Sequence, residues 1–154
     1  MEQTEYKIRE IGTEDYDALM LLYTHLHEKS VPAMDARIAA VWERILRDPG
    51  YHIIAADVSG TLAATCTCII VPNMTHGVRP YALIENVFTL AEYRRRGLAS
   101  ACLDYAKQLA VREGCYKIML MTGAKDEGTL HFYEQAGYDR GSKTAFSLWM
   151  EDAN

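Results

Sequence analysis

The sequence lacks any apolar run that approaches the roughly 20 residues that a helix needs to cross a bilayer. Its first ten residues, MEQTEYKIRE, contain acidic side chains and no apolar segment of the kind found in secretory signals. We therefore expect a cytoplasmic protein that has no membrane partner.

Metal-binding patterns are also missing. Only four cysteines occur, and no pair has the C-x-x-C spacing of a structural zinc site; they are Cys66, Cys68, Cys102 and Cys115. We expect all four to be reduced and buried. His25 and His27 are two residues apart on a predicted helix, where they do not share a face. The sequence therefore predicts no metal site.

An excess of positive charge is absent as well, since 16 lysines and arginines are set against 21 aspartates and glutamates and the formal net charge is −5. A chain this acidic is not expected to bind nucleic acid broadly. Positive charge is nevertheless concentrated at residues 93–100, YRRRGLAS, where three arginines precede a glycine. This concentration predicts a local site for an anion.

Hydrophobic periodicity and turn signals predict ten elements in the order β-α-α-β-β-β-α-β-α-β. We expect strands at residues 6–11, 52–58, 61–71, 81–90, 116–122 and 144–150, and helices at 17–27, 35–46, 97–112 and 127–136. Asp35 is the expected N-cap of the second helix, and Gly137 the left-handed C-cap of the last. The order is typical of an α/β fold with a mixed sheet, and the length suits a single domain over residues 1–154.

The stretch YRRRGLAS lies between a predicted strand and a predicted helix. The first N–H groups of a helix have no partner inside it, and the helix dipole adds partial positive charge at the same end. Phosphate is the usual anion bound at such a terminus. Gly97 would let a ligand approach the backbone, and the arginines would add charge-assisted hydrogen bonds. The alternative is a solvated basic turn before a helix that packs through small residues.

Three segments resemble the GCN5-related N-acetyltransferase (GNAT) superfamily. Arg94-x-x-Gly97-x-Ala99 matches its [QR]-x-x-G-x-[GA] pyrophosphate motif, within IENVFTLAEYRRRGLAS, which resembles its strand–loop–helix unit. HFYEQAGY resembles its FYEKxGF segment, and GCYKIML resembles the fifth-strand region of glucosamine-6-phosphate N-acetyltransferases. The resemblance, strongest over residues 81–141, implies a single N-acetyltransferase domain. Its central twisted mixed sheet would have about seven strands, with strands 4 and 5 splayed apart, and about four helices.

The resemblance implies acetyl-CoA as the cosubstrate. The residues expected to bind its diphosphate are Arg94, Arg95, Arg96, Gly97, Leu98, Ala99 and Ser100. The backbone groups of Val87, Phe88 and Thr89 are expected to hold the pantetheine arm and the thioester oxygen. Asp126 stands where relatives often have an asparagine that contacts the coenzyme, so it is a further candidate.

Acetyl transfer to an amine requires a base for the ammonium and an acid for the departing thiolate. Glu85 interrupts an apolar strand, where we expect partial burial, and the resemblance implies that it is the base, commonly through water. Its alternative is an ion pair with a loop cation such as Arg79. The resemblance implies that Tyr133 is the acid, because the tyrosine of this F-Y pair points at the coenzyme sulfur. Core packing is the alternative for Tyr133.

The acceptor is expected to be a primary amine of a small molecule, acetylated directly in a ternary complex, with an amino sugar as the most specific choice. Asn86 and His76, the latter in the loop PNMTHGVRP, are the candidate substrate contacts. Acetylation of a protein or peptide and a non-catalytic acyl-CoA sensor are the alternatives. The last predicted strand, TAFSLWM, resembles an exposed edge and suggests a homodimer.

Overall fold

The computed structural model describes residues 5–151. The chain divides into two compact units, one that extends to Leu120 and one that begins at Met121. The first unit contains all the strands of the described chain and three of its longer helices, and the second contains one helix and the C-terminal segment. The single domain expected over residues 1–154 stays a prediction.

The described chain contains five strands, together with four helices that are each at least eight residues long. The strands are β1 (Lys7–Glu10), β2 (Tyr51–Val58), β3 (Thr61–Val71), β4 (Tyr81–Thr89) and β5 (Ile118–Leu120). The helices are α1 (Tyr16–Tyr23), α2 (Ala36–Arg47), α3 (Leu98–Arg112) and α4 (Glu127–Gln135). Short helical turns lie at Thr13–Asp15, Thr75–Val78 and Ala91–Tyr93.

The strands form one mixed sheet in the order β1-β2-β3-β4-β5. The first four strands pair antiparallel, and β5 pairs parallel to β4. This arrangement confirms the α/β class and the mixed sheet. The sheet has five strands in the described chain, however, instead of the seven or so expected.

The difference includes the predicted strand at residues 144–150, which is not a strand in the described chain. This segment pairs with no other strand, and the side chains of Phe146 and Leu148 are 90% and 88% exposed. A strand needs a neighbour to satisfy its backbone groups. The prediction of a final strand is therefore wrong for the chain by itself.

The β2–β3 hairpin forms the centre of the sheet. Ser59 and Gly60 connect the strands with φ of 51° and 90°, the left-handed values that a tight hairpin turn requires. Both strands are almost wholly buried along their middle residues, which are mostly alanine, cysteine and threonine. Small side chains let helices approach closely, so the sheet can be covered on both faces.

The helices of the first unit bury apolar stripes against this hairpin. On α3, the buried residues Leu98, Cys102, Ala106 and Leu109 recur at helical spacing. A separate buried cluster joins α1 and α2 to one face of the sheet; it comprises Tyr16, Leu19, Leu22, Trp42, Ile53, Ala55 and Leu62. The expected N-cap of α2 is present, since the Asp35 carboxylate accepts a hydrogen bond from Ile38 N–H at 2.8 Å.

The second unit is organised around α4. Gly137, with φ of 100°, follows the helix as expected, and Tyr138 N–H donates to the Tyr133 carbonyl at 3.1 Å. Arg140 then turns back to the helix, where its guanidinium pairs with Glu127 and Glu134 at 3.1 and 2.6 Å. These contacts fix the chain that leaves the helix.

Candidate active site

A β-bulge interrupts β4 beside two predicted site residues. Thr65 of β3 pairs with Phe88 of β4, and two residues further along β3, Thr67 pairs with Glu85. Three steps along β4 therefore oppose two along β3. Asn86 lies within the bulge with φ of 51°, a left-handed conformation in which asparagine is enriched. The bulge bends the strand and changes the direction of the side chains that follow.

The opposite edge of β4 loses its neighbour just before the bulge. The parallel pairing with β5 covers Ala82, Leu83 and Ile84 and then ends. Residues 85–89 consequently have no strand partner on that side in the described chain, which fits the divergence expected of strands 4 and 5. Backbone groups along this free edge are available to an extended ligand that adds to the sheet like a further strand.

Glu85 has an exposed side chain, so the expectation that it is partly buried is wrong. The reason is that β5 ends level with Ile84, and no neighbouring strand covers the next part of β4. Glu85 forms no ion pair or hydrogen bond with another described residue. Arg79, its alternative partner, donates from Nε to the His76 carbonyl at 2.8 Å. The carboxylate is therefore accessible to a substrate or to water.

A cavity of about 370 Å³ opens beside the bulge. Residues of α1, α2 and β2 form most of its wall, together with Pro32 and with Asn86 of β4. The aromatic part of the wall consists of Tyr16, Tyr23, Trp42 and Tyr51. The volume lies within the range of about 300–1,000 Å³ that is usual for sites of small ligands.

Two tyrosines connect this cavity to the predicted residues of β4. Burial raises the pKa of Tyr23, while interactions with the side chains of Thr67 and Asn86 act in the opposite direction. Burial also raises the pKa of Tyr51, and the negative charge of Glu85 adds to this rise. Both phenols therefore keep their protons at neutral pH and can donate hydrogen bonds. Asn86 lines the cavity, and Glu85 directly precedes it on β4.

The segment before α3 has the backbone conformation of an anion cradle. Arg95 and Gly97 have φ of 62° and 77°, and α3 begins at the next residue. The first helical hydrogen bond runs from Ala101 N–H to the Gly97 carbonyl at 3.0 Å. The three preceding N–H groups, those of Leu98, Ala99 and Ser100, have no partner inside the helix. Together with the helix dipole they attract an anion.

The side chains around this terminus leave space for a ligand. Apart from Gly97 and its two chain neighbours, no residue has an atom within 4 Å of the point where a Cβ would stand at this position. Leu98 is buried and anchors the helix, so it can offer only its N–H group. Arg94 donates from Nε to the Thr89 carbonyl at 3.3 Å, and Arg96 donates to the Glu92 carbonyl at 3.0 Å. Open space, oriented N–H groups and nearby guanidinium groups suit the diphosphate of a nucleotide coenzyme.

The backbone segment expected to hold the pantetheine arm is built into the first unit through its side chains. Phe88 packs on the buried cluster of α1 and α2, and its ring stacks on His25 with centroids 6.3 Å apart. Thr89 pairs with Ala64 of β3. Phe88 and Thr89 are thus paired to β3 on one edge, and residues 87–89 have no strand partner on the other edge in the described chain.

Two predicted site residues belong to the second unit. Tyr133 is half-buried on α4, with ring centroids 5.1 Å from Phe132 and 6.4 Å from Tyr138. Asp126 is the N-cap of α4: its carboxylate accepts a hydrogen bond from Thr129 N–H at 2.9 Å, and this bond lowers its pKa. Asp126 thus has a structural role whether or not it contacts the coenzyme.

His76 lies in the Thr75–Val78 turn, with φ of 55°. Its ring stacks on Tyr116, with centroids 3.8 Å apart, and its Nδ1 lies 2.9 Å from the Thr75 hydroxyl. It does not line the cavity that contains Asn86. The structure therefore does not bring the two predicted substrate contacts together, because His76 precedes the start of β4 whereas Asn86 lies near its end.

Sequence reasoning missed four residues that line the cavity: Tyr16, Tyr23, Arg37 and Tyr51. The first three lie on or near helices whose apolar spacing indicates only a buried face. Finding these residues requires the first two helices and β2 to be considered together.

No group of three or more His, Cys, Asp or Glu side chains in residues 5–151 is arranged to hold a metal ion. None of the helices in this range combines the length and apolar character that a membrane span requires.

The sequence profile of the acetyltransferase (GNAT) family matches residues 14–138. Glucosamine 6-phosphate N-acetyltransferase of Trypanosoma brucei brucei is 31% identical over 136 residues, which cover 87% of this chain and 89% of that protein.

Solved structures show the same fold. A provisionally named acetyltransferase from Agrobacterium tumefaciens strain C58 superposes with a TM-score of 0.85 and 39% identity, covering 94% of this chain and 99% of its own. Glucosamine-6-phosphate N-acetyltransferase from Arabidopsis thaliana has a TM-score of 0.84 at 20% identity, covering 96% and 99%. At that identity the second likeness concerns the fold alone.

Proposed function

The chain belongs to the acetyltransferase (GNAT) family and is an acetyl-CoA-dependent N-acetyltransferase; we propose that its acceptor is a primary amine of a small molecule. We further propose that the acetyl group passes directly to the amine in a ternary complex. The observation that carries the proposal is the cavity beside Asn86 and Glu85, next to the free edge of β4. A concave site of this size suits a small acceptor better than an extended peptide.

The N-terminus of α3 is the proposed diphosphate site. The N–H groups of Leu98, Ala99 and Ser100 would donate to phosphate oxygens, and the arginines at 94–96 would balance their charge. When bound, acetyl-CoA supplies the acetyl group as a reactive thioester. The backbone of Val87, Phe88 and Thr89 would hold the amide-containing arm of the coenzyme along the free edge of β4.

Glu85 is the proposed base. Its carboxylate is exposed and directly precedes Asn86 of the cavity lining, and one of its oxygens would accept a proton from an ammonium, either directly or through water. Asn86, held by the bulge, is proposed to orient the amine or that water. The departing sulfur requires a proton. Tyr133 is proposed to hold that proton on its phenolic Oη and to donate it to the sulfur. Asp126 and His76 stay predictions as coenzyme and substrate contacts.

An amino sugar is one candidate acceptor, and its support is the name of the Trypanosoma relative. A cytoplasmic location is also part of the proposal. It is supported by four unpaired cysteine thiols, which suit a reducing compartment. A homodimer formed through residues 144–150 is supported by the exposed apolar side chains of that segment.

An amine-dependent release of thiol from acetyl-CoA tests the proposed function. The purified chain is mixed with acetyl-CoA and a panel of small amines, amino sugars and peptides, and free thiol is measured against a sample without acceptor. We expect release with small amines, accompanied by the N-acetylated product. Release with peptides alone would favour protein acetylation, and coenzyme binding without any release would favour a sensor.

A further inference from the structure

The cavity beside Asn86 has a wall that is apolar almost throughout. Of its thirteen lining residues, four are aromatic and seven are aliphatic, methionine or proline. Tyr16 and Trp42 meet edge to face with ring centroids 5.6 Å apart, and both belong to the buried cluster of the first unit. Such a wall stabilises apolar ligand surface by removing it from water, but it exchanges few hydrogen bonds.

Charge occurs at two places around this cavity. Arg37 is the only charged residue in the lining formed by the described chain. The other charge is Glu85, which directly precedes the lining residue Asn86. Its negative charge contributes to the raised pKa of Tyr51. An ammonium is repelled by Arg37 and attracted by Glu85. We expect the amine to point to β4, with the rest of the molecule against the aromatic wall.

Polar groups are a minority in this wall. The Tyr16 hydroxyl donates to the Pro32 carbonyl at 3.3 Å. The other polar groups of the lining are the phenols of Tyr23 and Tyr51, the indole Nε1 of Trp42 and the side chains of Arg37 and Asn86. A ligand whose surface is mostly hydroxyl would leave many of its hydrogen bonds to water without a replacement here.

We infer that the acceptor is an arylalkylamine, which is a primary amine attached to an apolar, aromatic body. This inference rests on the proposed function, and it excludes an amino sugar or its phosphate as the acceptor. The ring packs against Tyr16 and Trp42, and the ammonium lies at the Asn86 end beside Glu85. An amino sugar phosphate would instead bring several hydroxyls and a doubly negative group to a wall that contains one cation.

Steady-state kinetics with matched amines test this inference. 2-Phenylethylamine, glucosamine and glucosamine 6-phosphate are compared as acceptors at saturating acetyl-CoA. We expect kcat/KM for 2-phenylethylamine to exceed that for either sugar by at least about tenfold. An equal or greater kcat/KM for a sugar would overturn the inference and leave the proposed function intact.

Two neighbouring residues of α2 provide a variant and its control. Val41 lines the cavity and is 54% exposed, so Val41→Gln can add a polar group to the wall without disturbing the core. Ala40 is exposed on the same helix and does not line this cavity. Val41→Gln should lower kcat/KM for 2-phenylethylamine roughly tenfold, and Ala40→Gln should not. Equal values for the two variants would contradict the assignment of the ring to this wall.

The fluorescence of Trp42 measures binding of the amine separately from turnover. The chain has two tryptophans, and Trp149 is 73% exposed, so Trp149→Phe leaves Trp42 as the sole indole reporter. We expect 2-phenylethylamine to change Trp42 fluorescence saturably, and the sugars to leave it unchanged. If the arylalkylamine binds but no amine releases thiol, the inference about the cavity holds and the proposed function fails. If it neither binds nor reacts, the inference is overturned.

Discussion

Replacing Gly97 by glutamate would place a negative charge where the diphosphate is proposed to bind. Gly97 has φ of 77°, and no atom beyond Gly97 itself and its two chain neighbours lies within 4 Å of its Cβ position. The new side chain meets no obstacle, so its cost to folding is the left-handed conformation, about 1–2 kcal/mol. A negative charge at a helix N-terminus offsets about 0.3–1 kcal/mol of that cost. The variant should therefore fold.

The effect on coenzyme binding follows from Coulomb's law. Two unit charges about 5 Å apart in a water-like dielectric repel by about 0.8 kcal/mol, so two phosphates give about 1.6 kcal/mol. The water-like value applies because Gly97 is exposed. The expected loss of affinity is roughly fifteenfold. It should shrink at high salt, because the screening length falls from about 10 Å at 0.1 M to about 3 Å at 1 M.

Gly114 supplies a matched control at the other end of α3. It has φ of 74° and is likewise clear of any atom within 4 Å of its Cβ position, so Gly114→Glu introduces a similar backbone strain. Calorimetric titration with acetyl-CoA should give a Kd about fifteenfold higher for Gly97→Glu and a nearly unchanged Kd for Gly114→Glu. Thermal melting would check that both are folded. Equal Kd values for the two variants would refute the cradle at Gly97.

Three further outcomes are expected. Glu85→Gln should lower kcat, measured by thiol release, by about 10²- to 10⁴-fold because a general base is lost. The Kd for acetyl-CoA, measured by calorimetry, should stay unchanged. A loss of kcat below about threefold would exclude that role. Arg9→Met should lower the free energy of unfolding in urea by about 2–3 kcal/mol at pH 7, because Arg9 donates to both Asp15 oxygens at 2.7 and 2.9 Å. Arg9 lowers the pKa of Asp15, so this contribution is present above about pH 4 and is lost as the pH falls through the folded pKa; a difference independent of pH would contradict it. Light scattering at micromolar concentration should show a dimer for the natural chain and a monomer for Leu148→Lys, and a monomeric natural chain would rule out pairing through residues 144–150.

Local signals in the sequence predicted the parts of the fold that depend on neighbouring residues. The caps at Asp35 and Gly137 each act within a few positions of the chain, and the structure confirms both. The start of α3 after Gly97 is of the same kind. Capping and turn chemistry are local, so one sequence is enough to locate them.

The features that depend on pairing between distant segments were not predictable in the same way. The bulge at Asn86 is a mismatch of register between β3 and β4, and neither strand shows it alone. The exposure of Glu85 depends on where β5 ends. Residues 144–150 have a composition typical of a strand, but the described chain gives them no neighbour to pair with. Strand propensity describes a side chain's fit to a sheet and does not supply the adjacent strand.

The cavity shows the same limit for the candidate site. The spacing of apolar residues on α1 and α2 indicates that one face of each helix is buried. It does not show that Tyr16, Trp42 and Tyr51 surround an open space beside Asn86. That arrangement requires the tertiary packing of both helices on β2.

Backbone amide chemical shifts during a titration with coenzyme A test the central claim most directly. The account predicts that the largest changes occur at the N–H groups of residues 97–100, with a second group at 85–89 along the free edge of β4. Saturable binding that left the amide signals of Leu98, Ala99 and Ser100 in place, with the changes located elsewhere, would contradict it.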